Sequence, residues 1–178
     1  MTTLLTSMTE SAGLDEFAFV QTYTAQDGTL AATNLTADSV YVARVKVERA
    51  IRVTNMHIYI GAAAGNIDLG IYTGTLSGGL TKVASTGSTA AAGASALQTI
   101  ALTAAYTLQP GVDYWFAFGS TSGSTTLTVA RTAGVVALVL TSDTLAVTAI
   151  KAAAWSSGLP ASLSSLSATS NTVWVGAS

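Results

Sequence analysis

From Tyr41 onward the chain alternates apolar and polar residues with a period of two, the mark of strands that bury one face. In VYVARVKVERAIRV (40–53), Ala43, Val45 and Val47 point one way and Arg44, Lys46 and Glu48 the other. This predicts a half-buried antiparallel strand whose charged face either guards an exposed sheet edge or meets a neighbouring subunit. Met56, Ile58 and Ile60 then alternate with His57 and Tyr59, and Ile67, Leu69 and Ile71 alternate with Asp68, Gly70 and Tyr72. Further strands read as LTKVAST (80–86), LQTIALT (97–103), DYWFAFG (113–119) and TTLTVAR (125–131), with Ile100, Leu102, Leu127 and Val129 inward and Tyr114, Phe116 and Phe118 sharing a face. Gly65-Asn66, Ser77-Gly78-Gly79, Pro110-Gly111 and Ser122-Gly123 supply turns between them.

Short strands at this spacing, with no helical period between them, predict an all-β antiparallel sandwich or jelly roll. After Gly134 the rhythm loosens through 135–150 and a loop-like WSSGLPASLSSLSATS (155–170), then resumes in a closing strand, TVWVGAS (172–178). Residues 1–40 lack the strand-turn rhythm but carry apolar anchors at Leu14, Phe17 and Phe19. They are read as an arm or docking segment, with Phe17, Phe19, Gln21 and Tyr23 along one side of a strand, and residues 41–178 as the sandwich domain.

Composition sharpens this picture. Charged residues make up 9% of the chain, against about 25% in ordinary soluble domains. A thinly charged surface is kept wet by Thr and Ser hydroxyls, or it lies against other subunits. With seven Lys and Arg and a net charge of −2, the chain lacks the basic footprint of a nucleic-acid or anionic-membrane binder. Its longest aliphatic run, Val135 to Leu140, is far too short to span a bilayer. The first basic residue is Arg44, so no charged secretory start is legible, and a protein made and used without its own export signal is expected.

Candidate chemistry is sparse. There is no cysteine and one histidine, His57, too few donors for a typical transition-metal site. His57 lies mid-strand with no nucleophile elbow, and any partner acid has to arrive from another strand, Asp68 being the candidate. No phosphate-cradling glycine motif is present. No cofactor, no metal and no catalysis are expected. The aromatics are more informative: Tyr59, Tyr72 and Trp115 oppose the aliphatic face of their own strands. Such side chains serve as a sugar-stacking platform, as the centre of a subunit interface, or as ordinary packing in a second core.

DLGIYTGTLSGGLTKVAST (68–86), LTAAYTLQPGVDYWFAFG (102–119) and GLPASLSSLSATSNTVWVGAS (158–178) together resemble a loosely defined group of bacteriophage virion β-sandwich proteins. The similarity rests on Leu69, Gly70, Ile71 and Tyr72, on Leu108, Pro110, Gly111, Tyr114 and Trp115, and on Gly158, Leu159, Pro160 and Ala161. It covers roughly residues 40–178, and the middle portion also resembles carbohydrate-binding sandwiches of secreted bacterial proteins. The resemblance implies a virion structural protein: a head decoration or fibre subunit, or a small tail or baseplate component. It would assemble as a homo-oligomer, a trimer by preference, on major capsid or tail proteins. The alternative is a carbohydrate-binding module for a bacterial surface glycan, with Tyr59, Tyr72 or Trp115 as its platform.

Overall fold

The computed structural model describes residues 20–21, 29–34, 37–93, 95–121, 126–131, 148–152, 158–168 and 171–178. Among them the chain is all β, in two antiparallel sheets. Sheet A contains β1 (Val20–Gln21), β2 (Thr29–Asn34), β4 (Ile51–Ala62), β8 (Ala96–Leu108), β10 (Thr126–Arg131), β14 (Asn171–Val173) and β15 (Val175–Ala177). Its order runs β1-β15-β4-β10-β14, with β8 on the other edge of β4 and β2 on that of β10. Sheet B contains β3 (Ser39–Val45), β5 (Asn66–Thr75), β6 (Gly79–Ser85), β7 (Thr89–Ala90), β9 (Tyr114–Ser120), β11 (Thr148–Ala152), β12 (Ser162–Leu163) and β13 (Ser167–Ala168). Its order is β12-β6-β5-β9-β3-β11-β13, with β7 also on β5.

The alternation seen in the sequence becomes the core between the sheets. Met56, Ile58 and Ile60 from β4 meet Ile67, Leu69 and Ile71 from β5, with Tyr114, Phe116 and Phe118 from β9, all essentially without exposed surface. Two expectations are corrected here. The charged run at 44–48 does not lie on an edge: β3 is flanked by β9 and β11, and residues 46–50 carry the chain from sheet B to β4 of sheet A. The sandwich also does not begin at residue 41. Val20 pairs with Ala177, and β2 pairs with β10 along Thr29–Asn34, so backbone from within the expected arm completes sheet A. Leu14, Phe17 and Phe19 lie outside the described residues.

Sheet B is strongly curled. In a flat sheet, β12 and β13 would stand six strand spacings apart, about 29 Å. Yet only four residue steps separate Leu163 from Ser167, a reach of about 14 Å at most. The sheet therefore bends until its two ends nearly meet. The bend encloses a second apolar cluster of Val40, Val42, Tyr72, Leu80, Trp115 and Ala117, closed by Leu159 and Leu163.

Candidate functional site

Tyr72 and Trp115 are neighbours in register on β5 and β9 and are 0% and 1% exposed, so neither offers a face to a ligand. This corrects the expectation that they form a stacking platform. Burial requires their polar atoms to find partners. The Tyr72 hydroxyl donates to the Pro160 carbonyl at 2.6 Å and Trp115 Nε1 to the Gly74 carbonyl at 3.1 Å. Burial first, and then the charge of Asp68, push the Tyr72 phenol well above its ordinary pKa, so it stays a donor.

The segment that covers these rings, 158–163, is held by polar groups of sheet B. Asp68, fully buried, accepts from the Leu159 amide at 2.7 Å and from the Thr86 hydroxyl at 3.0 Å. Lys82 Nζ donates to the Leu159 carbonyl at 2.5 Å, and the Lys82 amide donates to the Ala161 carbonyl at 2.9 Å. Asp68 thus faces the second core, on the far side of the sandwich from the outward face of sheet A. It does not meet His57, and the acid–base pairing weighed from sequence is not formed.

Tyr59 differs from the other two aromatics. It is 37% exposed on the outward face of β4, where its cross-strand partner on β8 is Leu97, 56% exposed. Two residues back on the same face, His57 pairs with Thr99 on β8 and with Gly176 on β15. The imidazole bridges three strands: Nδ1 lies 2.9 Å from the Thr99 hydroxyl and Nε2 2.8 Å from that of Ser178. Partial burial pushes its pKa below the ordinary value. Ser178 is fixed in turn, its carbonyl accepting from the Thr54 and Asn55 amides at 2.7 and 2.9 Å. Leu97, Thr99 and Ser178 were not singled out from sequence. With Ile100 and Leu102 inward, alternation puts Leu97 and Thr99 outward; the β4–β8 register, which no single strand reveals, sets them beside Tyr59 and His57.

The remaining charge cluster is small. Arg44 meets Asp113 at 2.7 Å, with Lys46 at 3.5 Å, and the Arg44 hydrogen bond leads in lowering the Asp113 pKa. Among the described residues no group of three or more His, Asp or Glu could hold a metal ion. No helix among them is long and apolar enough to cross a membrane. Neither the family models nor the curated proteins compared with the chain give a match.

Proposed function

We propose that this chain is a structural subunit of a phage virion, a head decoration, fibre, tail or baseplate component that works by packing against copies of itself and other virion proteins. The observation that carries the reading is an extended outer surface almost without charge. On β8 the exposed residues Leu97, Thr99, Ala101, Thr103, Ala105 and Thr107 include no ionisable side chain. A free-standing domain ordinarily spreads Lys and Glu over such a strand, both for solubility and to deter unwanted pairing. A subunit whose surface is covered in the assembly needs neither. The sequence similarity to virion sandwiches points the same way, and the doubly cored, curled sandwich supplies a rigid part of the kind an assembly repeats.

The reading includes no catalysis. His57 bridges hydroxyls from two neighbouring strands, an arrangement that suits a pin between strands. The direct test is the mass of the purified chain by light scattering across a concentration series. A trimer or other closed oligomer is expected. A monomer at every concentration, with no binding to virion proteins, would overturn the reading.

A further inference from the structure

At 13 residues β8 is the longest of the described strands, and among the described residues its only strand partner is β4. The ends of sheet B, β12 and β13, are strands of 2 residues each, too short to template a further strand. The free side of β8 lacks that protection. Residues 96–108 also include no Asp, Glu, Lys, Arg or Pro, the residues that ordinarily guard an edge.

Hydrogen bonds on β4 show which backbone groups of β8 are left over. Asn55 turns both its amide and its carbonyl to Ser178, at 2.9 and 3.0 Å. Backbone groups alternate sides along a strand, so those of Met56, Ile58 and Ile60 face β8, where their register partners are Ile100, Gln98 and Ala96. Leu97, Thr99 and Ala101 therefore aim their N–H and C=O groups away from β4. Beyond Ala101 the edge closes: the β4–β8 register shifts between Val53 and Asn55, and the Thr103 hydroxyl donates to the Ser85 carbonyl at 2.9 Å. What stays open is the stretch from Leu97 to Ala101, centred on Thr99, with Leu97 56% exposed.

We propose that this edge pairs antiparallel with β8 of a second copy, about a two-fold axis at Thr99, joining sheet A of the two copies into one sheet. The inference rests on the assembly reading and names the contact through which copies meet. A two-fold axis sets Thr99 against Thr99 of the second copy and Leu97 against its Ala101. The sequence suits that self-pairing. A long side chain meets a short one, two hydroxyls meet at the axis, and no like charges are brought together, as they would be by a Lys or Glu at position 99. A strand of another protein would find no charge here by which to be selected. The facing pairs exchange about six backbone hydrogen bonds, two from each of three pairs. That contact is small beside a stable interface, so it acts together with the other contacts of the assembly. Being isologous, it closes on two copies, and the oligomer it builds has an even number of them.

The chain has no cysteine, so an introduced thiol reports on the axis. Facing residues of a hydrogen-bonded pair stand about 5.5 Å apart at Cα, within disulfide reach. Thr99→Cys, oxidised with copper phenanthroline in the full chain, should form a disulfide dimer on non-reducing gels at least about tenfold faster than Thr107→Cys, exposed on the same strand but far from the axis. Leu97→Cys combined with Ala101→Cys leaves the contact between Thr99 and His57 in place and should also crosslink, whereas neither alone should. Ala101→Pro removes an outward amide without touching a hydrogen bond to β4, and should lower the scattering mass with the β circular dichroism unchanged. Equal crosslinking at 99 and 107 overturns the proposal. So does a trimer or other oligomer whose mass Ala101→Pro leaves unchanged, in which case the assembly reading stands and the copies meet elsewhere. A chain that is monomeric at every concentration, binds no virion protein and shows no selective crosslinking overturns both.

Discussion

His57 and Trp115 are read by the same sequence rule, as side chains opposite the aliphatic face of a strand, yet they occupy opposite environments. The imidazole sits between two hydroxyls on the outward face of sheet A, partly buried, and burial lowers its proton affinity in the folded chain. Below the ordinary value of 6.5 the unfolded chain therefore binds more protons than the folded one. Stability from this group is complete above that pH and declines as pH falls through 6.5 toward the folded value. The decline is small, since both hydroxyls can turn to accept from an imidazolium. Urea unfolding at pH 7.5 and 5.5 should detect it in the parent and find it reduced in His57→Gln. Trp115, by contrast, fills the bend of sheet B at 1% exposure. Trp115→Ala should cost about 3 kcal/mol or more in urea unfolding, and unchanged stability would remove the ring from the core.

Among the elements, the covering segment 158–163 has the largest effect relative to its length. It has almost no secondary structure of its own, two residues of β12 paired with Leu80 and Thr81 of β6. Its hold comes from Asp68, Lys82 and Tyr72, and from two leucines in the second core. Its first residue, Gly158, has φ +137°, and a Cβ there would stand 3.0 Å from Asp68 Oδ2. Gly158→Ala therefore combines a backbone region open almost only to glycine with a contact against the carboxylate that anchors Leu159. A loss of about 1–3 kcal/mol is expected, read as a lowered urea midpoint together with weakened near-ultraviolet dichroism from Trp115. The strands beneath show why periodicity understated their burial. Along β5 every residue from Ile67 to Tyr72 is buried, because one face meets sheet A and the other meets this segment.

For the whole molecule, the boundary at residue 40 is the point at which structure most changes the experiment to be done. Val20 is buried in the main core and β1 is hydrogen-bonded to β15, so a truncation that tests an assembly arm must stop at residue 19. Removal of residues 1–19 should leave the β dichroism intact and abolish the oligomer seen by light scattering; normal assembly without them would exclude an arm. Much of the fold was legible beforehand. Alternation in NMHIYI, NIDLGIYTG and DYWFAFG named the residues that fill the space between the sheets, because a strand with one face against a core must repeat with period two. The candidate site was legible only as Tyr59 and His57, each on a face opposite its strand's aliphatics. Period two says that the faces of a strand differ and says nothing of what packs on the second. The sequence by itself therefore determined the strands and the inner core. Tertiary structure alone decided that Tyr72 and Trp115 are covered while Tyr59 is left outside: sheet B curls under a nearly aperiodic segment, and the β4–β8 register sets Leu97 and Thr99 beside Tyr59 and His57.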